Sequence, residues 1–470
     1  MPFHVGMIRH NIRLSSSQKV CGVYARRQVN TTTTTRSHGG GVVALTNQSS
    51  HTSQTSRCLE RLPLSSIVRS LVLGAFFTSP SLSKLGLAAL AKIAQSRSIL
   101  LHPDKNPVIR AVIKPLIYDH FCAGVTKAEV RHRVARYQRI GYSGIVLCYG
   151  KEFDPAKKDE AAAAESNVAD LELAHWKQGN LETLDMLRDG DILAMKYTGA
   201  GRSVVDALIS GAEPPKAFAE ALEEIVGLAT AQNCRIFVDA EHDEFQKTID
   251  RWTIDLMRRH NRDGKVVVYN TIQAYLKKSR ENVEYHLGLA HAEGWTMAIK
   301  LVRGAYINHD PRHIIHDTKD QTDDCYNGIV HDLLTGNMCD ISKNDFPNVE
   351  LFLAGHNEES VARASSLVRE LASKGMLRTM PRFGQLQGMS DPLGCRILEE
   401  SEEMKATCSN RNFAPPKVYK VAPWGSVQDC MMYLVRRAVE NRGATHRMKD
   451  GMAEMTKELR RRAFGKIMGR

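Results

Sequence analysis

From about residue 141 onwards, short apolar runs alternate with longer amphipathic segments of helical spacing. The runs lie at Gly144–Tyr149, Ile192–Lys196, Arg235–Asp239, Val266–Asn270, Met297–Val302, Glu350–Ala354, Thr379–Gln385 and Lys417–Ala422. The helical segments between them include Ala217–Ala231, Thr248–His260, Glu281–Ala292 and Glu358–Ser373. Apolar strands separated by helices predict a parallel sheet that is covered by helices on both faces.

The number of these strand–helix units decides between two arrangements of the sheet. Eight units favour a closed barrel, whereas an open doubly wound sheet ordinarily carries Gly-x-Gly-x-x-Gly after its first strand. The nearest match, which begins Gly199-Ala-Gly201, lacks the third glycine. We therefore predict an α/β fold, namely a (β/α)8 TIM-like barrel with an N-terminal helical arm and a disordered leader.

The first 59 residues are basic and contain no acidic residue. They hold seven Lys or Arg, many Ser and Thr, and the run Thr31–Thr35, and the first acidic residue is Glu60. This composition is typical of a mitochondrial or chloroplast transit peptide, with a disordered, solvated tail as the alternative. Because the leader accounts for seven of the twelve net positive charges, we expect no nucleic-acid partner.

The remaining patterns predict how the chain divides. The predicted segments are a leader over 1–59, a helical arm over 60–140 and a barrel over 141–465. Two stretches, Lys151–Asp170 and Ile307–Val349, have the character of insertions, the second with a helix near 318–334. No run approaches the roughly 20 apolar residues that span a bilayer. The ten cysteines show no Cys-x-x-Cys or zinc spacing, so we expect free thiols and no metal site.

Polar and charged residues collect where six of the predicted strands end. The carboxyl ends of barrel strands carry active sites, so this distribution predicts one shared site. The residues are Lys196, Asp239, Glu241, His242, Asn270, Gln273, Tyr275, Lys300, Arg303, His356, Asn357, Gln385 and Gln387. One such residue alone is more often a surface or loop group, and the agreement of six strand ends carries the prediction.

The segment after the eighth strand predicts a helix with one polar and one apolar side. At about 100° per residue, one side carries Tyr433, Arg436, Arg437, Glu440 and Asn441. The other side is expected to be covered by Leu434, Val435, Ala438 and Val439. Two adjacent guanidinium groups suit a carboxylate or phosphate, and Glu440 can offset their repulsion. A solvent-exposed helix with i,i+4 ion pairs explains the pattern equally well.

Five motifs, in their order and spacing, resemble those of the proline dehydrogenase family, particularly its fungal type. They are Phe237-Val-Asp-Ala-Glu241, Lys300-Leu-Val-Arg-Gly-Ala-Tyr306, Ala354-Gly-His-Asn357, Gly384-Gln-Leu-Gln-Gly-Met389 and Tyr433-Leu-Val-Arg-Arg-Ala-Val-Glu-Asn441. The stretch Leu193–Gly201 adds to the resemblance, which covers about residues 60–465.

The resemblance implies a flavoenzyme that binds FAD in the barrel. It implies oxidation of L-proline to Δ1-pyrroline-5-carboxylate, with electrons passed to ubiquinone or another membrane acceptor. Together with the basic leader, it implies a mitochondrial enzyme on the matrix side, in peripheral contact with the inner membrane.

The resemblance also implies a role for each residue at a motif position. Those implied to hold the substrate carboxylate are Lys196, Arg436 and Arg437. Those implied to shape the ring pocket are Tyr433, Leu386 and, at its wall, Glu152. Lys300 is implied to lie near flavin N5, with Asp239 orienting the charged cluster. Those implied to contact the rest of FAD are Gln273, Arg303, His356, Asn357 and Glu440.

The chain departs from the family pattern at one position of the eighth strand. Many members carry an aromatic hydroxyl just before Ala-Pro, and this chain has Val421 there. Loss of that hydroxyl bears on how the pocket discriminates proline from hydroxyproline or a bulkier analogue.

Other functions remain open from the residues alone. A Schiff-base aldolase on the same barrel would use Lys196 or Lys300 as its nucleophile. A folate-type flavin reductase would take electrons from a nicotinamide, and a catalytically silent matrix protein would only bind. The basic run Arg460–Arg462 is either a solvated helix end or a contact for anionic inner-membrane lipid.

Overall fold

The structure of the protein is a computed structural model. The residues that it describes are 57–96, 98–150, 167–407, 414–443 and 445–467. The predicted leader therefore lies almost entirely outside the described residues, and so does most of the predicted insertion at Lys151–Asp170. The predicted helix near 318–334 is confirmed as a helix over Lys319–Thr335.

Eight parallel strands close into a barrel, in which each strand pairs with its neighbours in sequence and the first pairs with the last. The strands are β1 Gly144–Tyr149, β2 Ile192–Met195, β3 Arg235–Val238, β4 Val268–Gln273, β5 Met297–Val302, β6 Val349–Ala354, β7 Arg382–Leu386 and β8 Lys417–Trp424. The predicted (β/α)8 fold is thus confirmed. Two strands begin later than predicted, β7 by three residues and β4 by two. The Asn261 side chain accepts from the backbone N–H groups of Val267 and Val268, at 2.9 and 3.0 Å.

Alternate residues of each strand face the inside of the barrel, and large aromatic side chains fill its centre. Phe237, Tyr269, Phe352 and Tyr419 are buried there together with smaller residues of β1, β2 and β5. Gly384 of β7 provides the space, because a Cβ at this position would lie 2.4 Å from the Phe352 ring. The barrel is therefore a packed core whose functional groups can lie only at its ends.

The amino-terminal end of the barrel is closed by polar residues that form an ion pair and hydrogen bonds with one another. Glu350 forms an ion pair with Arg382 and accepts from the Tyr269 hydroxyl at 3.0 Å. Arg382 also donates to the Tyr269 hydroxyl at 2.9 Å. These groups lie opposite the strand ends where the sequence predicts the site, so we assign them to stability.

The described helices fall into two groups. Those before the barrel are α1 Arg57–Glu60, α2 Leu64–Thr78, α3 Pro80–Gln95, α4 Pro107–Ile113, α5 Asp119–Phe121 and α6 Lys127–Ile140. Those that follow β1 are α7 Asn167–Met186, α8 Arg202–Ser210, α9 Lys216–Ala231, α10 Asp243–His260, α11 Ser279–Glu293, α12 Lys319–Thr335, α13 Glu358–Ser373, α14 Asp391–Thr407, α15 Met431–Gly443 and α16 Thr445–Ile467.

The helices before β1 pack against the barrel and do not form a separate body. Leu73 and Phe77 of α2 and Leu90 of α3 share a buried apolar cluster with Met431 and Leu434 of α15. Residues 54–470 accordingly form one compact unit. The boundary of the predicted arm at residue 140 stays a prediction.

No single described helix has the length and apolar composition to cross a bilayer. The pair α2 and α3 passes that test only when taken together, and a bend of 103° separates the two helices. The cysteines within the described ranges are free thiols, as the sequence predicts.

His120, in the short helix α5, is buried as a neutral ring. Its Nε2 lies 2.8 Å from the Gly388 carbonyl oxygen, to which the ring N–H donates. Burial lowers the pKa of His120 from 6.5 to about 4. In the unfolded chain His120 therefore becomes protonated below about pH 6.5, whereas in the folded chain it becomes protonated only near pH 4.

We expect the free energy of unfolding to fall as the pH is lowered from about 6.5 to about 4, with His120 contributing at most about 1.4 kcal/mol per pH unit. His120→Gln keeps an N–H donor but cannot titrate, so its stability should depend less on pH. Chemical denaturation across this window measures the slope. The exposed His313→Gln is the matched control, and an equal slope in wild type and His120→Gln would assign the acid sensitivity to other groups.

Candidate active site

The carboxyl-terminal end of the barrel gathers five of the predicted residues on its inner side. Inward-facing positions alternate along each strand and include Ala194, Phe237, Tyr269, Ala298 and Val421. Continuing that alternation points these predicted residues into the barrel mouth: Lys196, Asp239, Gln273, Lys300 and Leu386. The strand period of two residues thus explains why side chains from five strands share one site.

Lys300 and Asp239 form an ion pair across the mouth. The side chains are 13% and 23% exposed, so the pair is partly shielded from water. The Lys300 ammonium also lies 5.3 Å from the centre of the Phe237 ring, which favours a cation. The mouth therefore holds a positive charge whose position is fixed by a carboxylate and an aromatic ring.

Glu241 belongs to the same cluster, although the sequence predicted only that it lies at a strand end. It is 4% exposed, and it accepts from the Thr198 backbone N–H at 3.1 Å and from the Thr198 hydroxyl. Burial raises the pKa of Glu241, against the opposing effects of the Thr198 hydrogen bonds and of the Lys196 charge. The motif Asp239-Ala-Glu241 contained the sequence signal for this role, because its second carboxylate offsets the positive charge of Lys196.

Gln273 connects the loops that follow three neighbouring strands. Its side-chain oxygen accepts from the Ala305 backbone N–H at 2.9 Å, and its amide nitrogen donates to the Glu241 carbonyl at 3.4 Å. The structure therefore gives this residue a positioning role, beside any contact that it makes with a cofactor.

Arg303 and Asn357 lie where β5 and β6 end, next to the amino terminus of α13. Arg303 forms an ion pair with Asp323 of α12 and donates to the Ser360 hydroxyl at 2.5 Å. Asn357 caps α13 by accepting from the Ser360 N–H at 2.9 Å. A guanidinium beside a helix amino terminus suits a phosphate or pyrophosphate. Asp323 gave no signal in the sequence, because it lies in the region read as an insertion.

A cleft open to solvent, with a volume of about 90 Å³, lies beside His356. Its walls come from α2, the loop after β7 and α16, and they include Phe77, Met389 and Met452. The cleft therefore lies on the carboxyl-terminal side of the barrel, next to the loop after β7.

The helix α15 turns its tyrosine and one arginine inward. Tyr433 and Arg437 are 8% and 9% exposed, and the Arg437 Cζ lies 5.1 Å from the centre of the Tyr433 ring. Tyr433 and Leu386 belong to the same apolar cluster. The alternative of a fully solvent-exposed helix is therefore wrong for this side of α15, and Arg436 is half-buried.

One expectation for α15 is wrong, and two others concern side chains that the structure does not describe. Val439, predicted on the covered side, is 45% exposed, because the buried side of α15 is formed by Met431 and Leu434, which lie earlier in the helix. The side chains of Glu440 and Asn441 lie outside what the structure describes. Glu152 lies outside the described residues as well.

Val421 faces into the barrel directly beside Leu386. The two residues are register partners on β8 and β7, and Val421 also pairs with Val146 of β1. The position where many family members carry an aromatic hydroxyl therefore borders the residue implied to shape the ring pocket.

The fold and the site together define a (β/α)8 barrel with charged and aromatic side chains gathered at the carboxyl ends of its strands. A sequence model of the family described as "Proline dehydrogenase" matches residues 130–450. The chain belongs to the proline dehydrogenase family of oxidoreductases, which confirms the resemblance found in its motifs.

Curated relatives align over most of the chain. The probable mitochondrial proline dehydrogenase of Schizosaccharomyces pombe is 27% identical, over 86% of this chain and 90% of its own. The mitochondrial proline dehydrogenase 2 of Arabidopsis thaliana is 28% identical, over 88% and 90%. The hydroxyproline dehydrogenase of Bos taurus is also 28% identical, over 76% and 83%.

A solved structure shares the fold. Proline utilization A (PutA) of Bdellovibrio bacteriovorus, inactivated by N-propargylglycine, aligns with a TM-score of 0.60 at 15% identity. The alignment covers 83% of this chain and 41% of that chain. This chain thus spans less than half of the longer protein, and the likeness shows the fold alone.

Proposed function

We propose that this protein oxidises L-proline to Δ1-pyrroline-5-carboxylate with FAD, as the first step of proline catabolism. The observation that carries the proposal is the mouth of the barrel, where the Lys300–Asp239 ion pair shares the carboxyl end with Leu386, Tyr433 and the buried Arg437. Such a site offers a fixed cation for a cofactor and a guanidinium for a substrate carboxylate.

The donors of this chain fit FAD at both ends of that molecule. Lys300 would lie beside the flavin ring, and Gln273, Arg303, His356, Asn357 and Glu440 would hold the remainder. When bound, FAD supplies the hydride acceptor, its N5 atom, for a substrate C5–H bond. Lys300 would stabilise the negative charge that develops on reduction, because a preorganised cation needs no rearrangement at that moment.

The substrate carboxylate would be held by Arg436, Arg437 and Lys196, with Tyr433 and Leu386 forming the walls around the ring. Three cations near one anion repel each other unless carboxylates balance them. Asp239 and Glu241 provide that balance. A fixed carboxylate orients the substrate ring, so that orientation is established before the chemical step.

Hydroxyproline is the second candidate substrate. The specific observation is Val421, an aliphatic residue that borders Leu386 on the inner side of the barrel. A relative named hydroxyproline dehydrogenase aligns over 76% of this chain. Both substrates therefore belong in the same assay.

The electron acceptor in this proposal is a membrane quinone such as ubiquinone. The proposed location is the mitochondrial matrix side of the inner membrane, in peripheral contact with it. Support comes from the basic leader and from relatives that are named mitochondrial.

An absorption spectrum of the purified protein tests the proposal. We expect flavin bands that L-proline bleaches under anaerobic conditions, with hydroxyproline measured in parallel. Reduction by NADH instead would favour a folate-type reductase, and covalent trapping of the substrate by borohydride would favour a Schiff-base aldolase. A colourless protein, or bands that neither imino acid bleaches, would contradict the proposal.

A further inference from the structure

An unusual share of the exposed large apolar side chains lies in one segment of the chain. Ten of the eighteen found among the described residues fall between residues 64 and 116. We call these ten the apolar face: Leu64, Val68, Val72, Leu82, Leu85, Ile99, Leu100, Val108, Val112 and Leu116. Their exposed fractions run from 42% to 75%. Single exposed apolar residues are ordinary, but a concentration of this kind marks an interaction surface.

The apolar face follows the helical repeat. Leu64, Val68 and Val72 recur every four residues along the outer side of α2, and Ile67 and Phe77 on its inner side are buried. The same spacing relates Val108, Val112 and Leu116. These helices therefore have two apolar sides, one packed in the core and one in solvent.

The charge around the apolar face has one sign. Between Arg61 and Leu116 the only acidic residue is Asp104, which is turned inward to pair with Arg110 and to accept from the Val427 and Gln428 N–H groups. Lys84, Lys92 and Lys105 are exposed. None of these three lysines pairs with a carboxylate in the part of the chain that the structure describes.

The apolar face is also linked to the candidate site. The inner sides of α2 and α3 pack on α15, in the cluster that contains Tyr433 and Leu386. A partner bound to the outer side of these helices would thus lie one helix away from the substrate pocket.

The basic C-terminal run is the competing lipid contact, and its side chains are largely engaged within the protein. Arg461 and Arg462 donate to the buried Glu458 at 2.7 and 2.6 Å. Arg462 also donates to the Leu59 carbonyl at 2.8 Å. These arginines attach α16 to α1 and are less available for phosphate groups than the lysines of α3.

We propose that the apolar face docks on the surface of an anionic phospholipid bilayer. Aliphatic side chains would enter the boundary between headgroups and acyl chains, and the lysines would contact lipid phosphates. Amphipathic helices that lie at a membrane interface bind by these two interactions. The inference rests on the proposed membrane acceptor and adds the surface that reaches it. The inner sides of α2 and α3 stay in the protein core, so both helices lie along the bilayer.

Vesicle co-sedimentation of the full chain tests the docking surface. The test variant carries Leu85→Glu, Leu100→Glu and Val108→Glu, at positions 71%, 75% and 71% exposed. The matched control carries Ile209→Glu, Tyr285→Glu and Met376→Glu, at positions 54%, 59% and 50% exposed. Both variants change the net charge equally, so any difference reports on the location of the substitutions.

With vesicles of phosphatidylcholine and phosphatidylglycerol, we expect the test variant to partition at least about tenfold more weakly than the wild type and the control. Pure phosphatidylcholine vesicles should bind the wild type more weakly, because the lysines lose their partners. Equal loss in both variants, or no binding by the wild type, would overturn the proposal. A dimeric wild type that the test variant makes monomeric would overturn it in favour of self-association.

Two activity assays separate this inference from the proposed function. Proline oxidation with a water-soluble dye should be the same in wild type, test variant and control, because none of the substituted residues belongs to the site. With quinone dissolved in the vesicles, only the test variant should lose activity. If no form oxidises proline but the vesicle binding differs as expected, the proposed function fails and the docking surface stands.

Discussion

Arg437→Met is expected to raise the KM for proline strongly while FAD remains bound. Arg437 is buried against the Tyr433 ring, so its loss removes a guanidinium from a partly desolvated carboxylate site. Truncating one partner of such a charge pair costs about 2–5 kcal/mol, which corresponds to a fall in kcat/KM of roughly 30- to 5000-fold. Steady-state kinetics together with the flavin content of the purified variant measure the effect.

Arg363→Met serves as the matched control for this substitution. Arg363 lies on α13 with a side chain 62% exposed and pairs with Glu359 on the same helix. Its replacement should leave KM and flavin content unchanged. A KM for proline that Arg437→Met leaves at the wild-type value would remove Arg437 from carboxylate binding.

The second large effect is expected for Lys300→Met. The Lys300 ammonium is held by Asp239 and the Phe237 ring at the barrel mouth, where it can stabilise developing negative charge. Loss of one preorganised electrostatic group lowers a rate by about 10²- to 10³-fold. Rapid mixing of the oxidised enzyme with proline without oxygen gives the rate of flavin reduction directly, apart from any later electron transfer.

Lys277→Met is the control for the lysine. It removes an ammonium from the loop after β4 that is 42% exposed and paired with Asp317. Its reduction rate should match that of the wild type. Should Lys300→Met be reduced as fast as the wild type with full flavin content, Lys300 would be a structural residue, and the positive charge near N5 would have to come from elsewhere.

The barrel could be predicted because each strand carries a local signal. Apolar runs with a period of two and helices with a period of 3.6 are properties of adjacent residues, so β1 and β5 were predicted with their observed bounds. The start of β4 could not be predicted. It depends on the Asn261 side chain, which occupies two backbone donors from outside the strand.

The candidate site was predictable to the extent that strand ends and one helix face define it. The sequence places Lys196, Asp239 and Lys300 at the same end of the barrel, and the structure pairs two of them. An ion-pair partner that comes from a distant segment of the chain cannot be recognised from the residues next to it in sequence. Asp323, which pairs with Arg303 from within the long β5–β6 connection, is the clearest case.

The packing of the helices before β1 was also missed, for the same reason. Their apolar spacing predicts helices, but a helix with apolar residues on two sides does not reveal which side meets the protein. Only the three-dimensional contact with α15 shows that Leu73 and Phe77 are the inward residues.

The contact of α2 with α16 makes the two ends of the described chain direct neighbours. Helix α2 leaves the ribosome before its partner α16 has been synthesised. Until then the inward side of α2 has no place to pack, and β1 likewise waits for β8 to close the barrel. Because such distant partners must meet before the fold is complete, we expect slow folding, with apolar surface exposed in the meantime.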